Sequence, residues 1–157
     1  MAEKTNAVRL VQRSNIPCRE AFYDFDENDL NGNHAARAIG MAPEQVFKTL
    51  VARGDRTGIN VFCIPVCCEL DLKKAAKASG DKKIELVAVK ELLGLTGYIR
   101  GGCSPVGMKK RYPTFMDETC ILWDEIAVSA GARGHQMILS PEALASLVDA
   151  ELVDIIQ

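Results

Sequence analysis

Val46–Ala52 and Ile59–Val66 are two largely apolar runs rich in β-branched and aromatic residues. Between them, Arg53-Gly54-Asp55-Arg56-Thr57-Gly58 has the composition of a hairpin loop, so the pair predicts two antiparallel strands. Thr5–Arg13 instead spaces Ala7, Leu10 and Val11 on one face and predicts an amphipathic helix that ends before Pro17. Cys18–Asp26 is aromatic-rich and predicts a strand, Glu27–Asn33 a polar loop, and His34–Ile39 a short helix closed by Gly40. Asp71 is a natural N-cap for a helix over Leu72–Ser79, with Gly80 just past its end. Further strands are expected at Ile84–Val87, Pro113–Met116, Glu125–Ser129 and His135–Leu139, and a helix over Val89–Leu93 stopped by Gly94. Thr96–Gly107 is too rich in glycine for regular structure and reads as a loop with a strand entering it. Ser140-Pro141-Glu142 combines an N-cap, an N1 proline and an acidic first turn, and so opens the last helix.

Strands in adjacent pairs, with helices between them and at the ends, predict an α+β fold. Its sheet is expected to be mixed, largely antiparallel, and curled or barrel-like. The 157 residues suit a single domain over 1–157 with an ordinary globular core. No apolar stretch approaches the ~20 residues of a membrane span, and the early Glu3, Lys4 and Arg9 do not follow a signal peptide's order. A cytoplasmic protein is the expectation, and its six cysteines are expected to be free thiols. They contain no C-x-x-C pair, and the histidines His34 and His135 lie in no ligand spacing, so neither a metal nor a cofactor is expected. The vicinal Cys67-Cys68 invites a redox reading, against the plainer one of small apolar fillers at a strand end.

The formal charge of −2 argues against a protein that coats nucleic acid, but the charge is uneven. Arg100, Lys109, Lys110 and Arg111 fall in one stretch on an otherwise acidic chain, a place for a few phosphate contacts.

No local catalytic signature is present, so the candidate chemistry is dispersed. Lys48 shares a strand face with Val46 and Leu50, where a lysine either snorkels at an edge or points into a pocket. Gly101-Gly102-Cys103-Ser104-Pro105-Val106-Gly107 can turn consecutive N–H groups toward an oxyanion, or can simply be a tight turn. Ser129, Arg133 and Gln136 present polar groups around a further turn, and Ser104 joins them as a candidate for binding substrate.

Four segments occur in order: Val46-Phe47-Lys48-Thr49-Leu50, Leu70-Asp71-Leu72-Lys73-Lys74, Thr96-Gly97-Tyr98 leading into the glycine–Ser–Pro–Gly–basic string, and Ser129 to Arg133-Gly134. Together they resemble the YbaK/EbsC family of aminoacyl-tRNA deacylases, related to the editing domain inserted in bacterial prolyl-tRNA synthetases. The resemblance implies a mixed α/β fold that hydrolyses the ester between a wrong amino acid and the 3′-terminal adenosine. Its best-known substrate is cysteinyl-tRNA(Pro), and prolyl-tRNA synthetase is the implied partner. It places the essential lysine on Lys48, the glycine loop on Gly101 and Gly102, a pocket tyrosine on Tyr23 and a pocket serine on Ser129. Where family members often carry an aspartate, this chain has Gln136, which cannot pair with an ammonium as a carboxylate does. A non-catalytic module binding the tRNA acceptor end, or a synthetase, is the competing expectation.

Overall fold

The computed structural model describes residues 4–157, so Glu3, which entered the reading of the N-terminus, lies outside the described residues. The elements run α1 (Asn6–Arg13), β1 (Cys18–Phe22), α2 (Gly32–Ile39), β2 (Phe47–Gly54), β3 (Gly58–Pro65) and α3 (Leu72–Ser79) in the first half. The second half holds β4 (Ile84–Leu86), α4 (Val89–Thr96), β5 (Thr114–Asp117), β6 (Ile126–Ala132), β7 (His135–Leu139), α5 (Pro141–Val148) and β8 (Glu151–Val153). Short 3₁₀ turns cover Pro43–Gln45 and Glu118–Leu122. No helix among the described residues is long and apolar enough to cross a membrane.

The strands form two sheets, one of three in the order β1-β7-β6 and one of five in the order β4-β2-β3-β5-β8. The class is the expected mixed α+β, with β3–β5 and β5–β8 parallel and the other named pairings antiparallel. The barrel-like closure expected from the sequence is not seen. Neither sheet closes on itself, and an isolated parallel bridge between Val46 and Ala127 joins them.

Strand alternation sorts the core into layers. Phe47, Val51, Val61 and Cys63 face inward onto Val128, Ala130, Met137 and Leu139 of the three-stranded sheet and onto α1. The neighbours Ala52, Phe62 and Ile64 face the other way, onto Ala75 and Ala76 of α3. The far face of the three-stranded sheet carries Ala127 and Ile138, which pack against Ala36 of α2 and against Val46 and Val66.

Helix ends follow the capping chemistry of the sequence. The Asp71 carboxylate accepts the N–H groups of Lys73 and Lys74, and Ser140 Oγ accepts that of Ala143. Several elements differ from expectation. Helix α4 runs through Gly94 to Thr96, because the left-handed residue that ends it is Gly97, and Thr96 Oγ1 bonds back to Leu92. A helix, not a strand, therefore leads into the glycine loop. Strand β1 stops at Phe22 rather than Asp26, because its partner β7 starts at His135, and past it the Tyr23 N–H donates to Gly134 O in the β6–β7 turn at 2.9 Å. Strand β8, only Glu151–Val153, was too short to show a period. Cys67 is exposed and Cys68 half-buried, so they are not the buried fillers expected of them.

Candidate active site

Strand β4 pairs with β2 only at Ala52–Gly54, which leaves the earlier part of β2 with an open edge. Beside that edge, between α2 and the far face of the three-stranded sheet, lies a cavity of about 650 Å³. It takes atoms from residues 46–51 of the strand, from Tyr23, Arg100 and Gly101, and from Ser129 and Gln136. Lys48 is half-buried and makes no hydrogen bond or ion pair among the described residues, so its ammonium is available to a ligand.

Ser129 and Gln136 are paired across β6 and β7 and share one face. Ser129 Oγ accepts the N–H of Gly131 at 3.1 Å, which leaves its own O–H to donate. Gln136 is 6% exposed, and its Oε1 has no hydrogen-bond partner. A buried amide oxygen without a partner is costly, so a ligand that donates to it gains what the empty protein forgoes.

The glycine loop is shaped by a turn. The Gly102 N–H donates to Ile99 O at 3.0 Å, so Arg100 and Gly101 are the central residues, and Gly101 at φ 86° takes the left-handed place that a type II turn demands. Arg133 Nε donates to Arg100 O at 2.9 Å and fixes that carbonyl. Because the peptide is trans and planar, the Gly101 N–H points the opposite way, away from Arg133. Gly102 packs on the β6–β7 turn so closely that a Cβ there would stand 3.2 Å from the Ala132 and Arg133 backbone.

Of the residues singled out from sequence, Tyr23, Lys48, Arg100, Gly101, Ser129 and Gln136 come together around the cavity. Arg133 and Gly102 stand behind it as supports. Ser104 is fully buried and accepts the Val106 N–H, a turn contact outside the cavity lining. Lys110 and Arg111 line a second hollow of about 310 Å³ with Leu10 and Met108, and Arg111 is paired with Asp149 at 2.8 Å. Lys109 packs over Gly97. The four cations therefore do not make one patch.

Thr49 was not singled out. It lies in the strand beside Lys48, and alternation turns its N–H and C=O to the open edge of β2, because the Val51 carbonyl on that side accepts from Val87. A gap in strand pairing leaves no mark in a single sequence. Two groups of the kind that supply a nucleophile or a base, Cys103 and His135, are held out of use. Burial pushes the Cys103 thiol on the cavity wall up to about 12, and His135 stacks on Phe22 at 4.2 Å with its Nε2 2.9 Å from Glu20.

The model of the aminoacyl-tRNA editing domain matches residues 32–147, which spans the strand of Lys48, the glycine loop and the turn of Arg133. The chain belongs to the aminoacyl-tRNA editing domain family. It is 46% identical over 153 residues to "Putative Cys-tRNA(Pro)/Cys-tRNA(Cys) deacylase EbsC" of Enterococcus faecalis, covering 98% of this chain and 93% of that one. It superposes on a "putative trans-editing enzyme for prolyl tRNA synthetase" with a TM-score of 0.81 at 25% identity, over 99% of both chains. The hypothetical protein APE2540, at 19% identity and a TM-score of 0.85, shares the fold over 95% of this chain and 97% of its own. This editing domain is accordingly a hydrolase of aminoacyl-tRNA esters.

Proposed function

We propose that this editing domain clears cysteinyl-tRNA(Pro) and that the substrate's own thiol opens the ester. The observation that carries the reading is what lines the cavity: a lysine without a partner, a buried amide oxygen without a partner and the backbone of Gly101, while the thiol on the wall, Cys103, is too buried to ionise readily. Such a site works by orientation and charge stabilisation, which suffices when the substrate brings its nucleophile. The cysteinyl sulfur attacks its carbonyl carbon, the C–O bond to the ribose breaks, and the thiol proton passes to the departing 3′ oxygen. Water then opens the thiolactone.

Lys48 holds the terminal nucleotide and the ester, the Gly101 N–H faces the developing oxyanion, and Ser129 and Gln136 receive the amino acid. Gln136 does so as a neutral amide, with an acceptor for the α-amino group and a donor besides. The relatives' names support this substrate and a working partnership with prolyl-tRNA synthetase.

Deacylation of cysteinyl-, seryl- and alanyl-tRNA(Pro) side by side is the test. The cysteinyl ester is expected to disappear roughly a hundredfold faster than the seryl one, since a thiol is far more ionised than a hydroxyl at neutral pH. Equal rates replace the thiol with an activated water.

A further inference from the structure

We infer that Cys67 and Cys68 form a dithiol site on the rim of the cavity that captures trivalent arsenicals, and that its occupation closes the cavity. In an extended strand, neighbouring side chains point to opposite faces. Here the chain leaves β3 in a tight turn, with the Cys68 N–H on Pro65 O at 3.0 Å, and the two sulfurs come to 3.9 Å. The turn is anchored to the catalytic strand: the Val66 N–H donates to Val46 O at 2.8 Å, and Pro65 and Ile64 are register partners of Phe47 and Lys48. The residues on either side of the pair, Val66 and Glu69, both line the cavity. Cys67 is open to solvent, whereas Cys63, Cys103 and Cys120 are buried in the core and Cys18 contacts the Arg19 carbonyl.

Backbone geometry selects this chemistry over a disulfide. Adjacent residues across a trans peptide have Cα atoms ~3.8 Å apart, below the ~4.4 Å floor for a relaxed disulfide, whose sulfurs must also close to ~2.05 Å. A bridging arsenic leaves its two sulfurs at a non-bonded separation, as they already stand. Burial, then the neighbouring Cys67 thiol and Asp117, push the Cys68 thiol up to about 11 against the opposing charge of Lys48. A thiol so reluctant to ionise is a poor target for peroxide, which needs thiolate.

Arsenical capture needs neither thiolate nor oxidant. With an organoarsenic oxide the two S–H bonds and the As=O bond break, two As–S bonds form, the oxo leaves as water, and arsenic stays trivalent. The organic group is then held beside Lys48 at the cavity mouth.

The closing effect rests on the cavity being the acyl site; formation of the adduct does not, and the two are read separately. The intact protein is treated with phenylarsine oxide and weighed by mass spectrometry. The expected product carries a single arsenical with loss of one water, resists excess glutathione, and is removed by 2,3-dimercaptopropanol. Cys67→Ser and Cys68→Ser are each expected to lose the glutathione-resistant adduct, and Cys18→Ser to keep it. Absence of that adduct in the native chain, or its persistence in both single variants, overturns the site. Deacylation by the adduct should fall by roughly tenfold or more and return with the dithiol, while the two variants keep basal turnover and ignore the arsenical. An adduct on Cys67 and Cys68 with undiminished turnover overturns the closure. A native chain that deacylates nothing before treatment counts against the substrate reading instead, and the mass result still decides the site.

Discussion

Lys48 and Gly101 face the same cavity from walls of different construction. Lys48 stands on a strand whose every residue has a register partner in β3, from Phe47 opposite Pro65 to Gly54 opposite Gly58. Gly101 stands in a loop without a ladder, held where side chains reach its backbone: Arg133 at the Arg100 carbonyl, Tyr98 at the Val106 carbonyl, Thr96 at the Tyr98 amide. The strand wall keeps its shape when a side chain is removed and loses only that side chain's chemistry. The loop wall keeps its chemistry, which belongs to the backbone, and loses its shape.

Lys48→Ala is the sharpest probe of the strand wall. Deacylation is expected to fall by roughly a hundredfold or more, the scale of a lost electrostatic contact at a reacting ester. Because Lys48 is half-buried and has no partner to leave unsatisfied, the Tm should move by no more than about 2 °C. A variant within about threefold of the native rate, ~0.7 kcal/mol of barrier, removes Lys48 from the chemistry.

Arg133→Ala is the corresponding probe of the loop wall. Freed of its guanidinium, the Arg100–Gly101 peptide is able to rotate, and kcat should drop roughly tenfold, as a misplaced donor implies. The Gly101 amide resonance should shift or broaden, and Arg133→Lys, which still donates to the carbonyl, should recover part of the rate. An unchanged Gly101 amide in Arg133→Ala would show that the loop holds itself.

Asp81 secures the far end of the strand wall. Its carboxylate accepts the N–H groups of Arg56 and Thr57 at 2.8 Å each, the Thr57 hydroxyl at 2.6 Å and the Ser79 hydroxyl, tying the β2–β3 loop to α3. Some desolvation raises its pKa, but these donors outweigh it and hold it at about 2, below the ordinary 3.8. A depressed folded pKa contributes stability above the unfolded value and loses it as pH falls from about 4 through 2. Asp81→Asn should flatten the pH dependence of the denaturation midpoint in that window alone, and leave turnover at neutral pH unchanged. A steep native slope that survives the substitution assigns acid sensitivity to another carboxylate.

Legibility in the sequence follows the same division. The hairpin was readable because two β-rich runs flank a loop of turn residues, and strand geometry then set Lys48 on the face of Val46 and Leu50. Gly101 was readable as a turn glycine, but its neighbour was over-read: two consecutive glycines suggested two free N–H groups, and the Gly102 amide closes the turn on Ile99. The support role of Arg133 depends on a contact across 33 positions that no local pattern carries. Charge misled for a related reason. Arg100, Lys109, Lys110 and Arg111 are near in sequence, yet the chain between them passes from one hollow to another, and Asp149 arrives from the end of α5 to neutralise Arg111.

That separation sets the smallest expected effect. A cation contributes to the salt dependence of tRNA binding only if it displaces counterions from phosphate, by roughly 0.7 in log–log slope for each contact to a single strand. Arg100 borders the cavity proposed to receive the acceptor end, so Arg100→Ala should reduce the slope by about that amount. Arg111 is exposed, and its charge is already matched by Asp149 at 2.8 Å, a surface pair worth ~0–1 kcal/mol to the fold. Arg111→Ala should therefore leave the slope within ~0.2 of the native value and the Tm nearly unmoved, as measured by filter binding across a salt series and by thermal melting. If Arg111→Ala lowers the slope as far as Arg100→Ala does, the ion pair opens for tRNA and the second hollow belongs to the nucleic-acid surface. An unchanged slope confines tRNA contact to the cavity mouth, where the loop wall, through Arg100, supplies charge as well as shape.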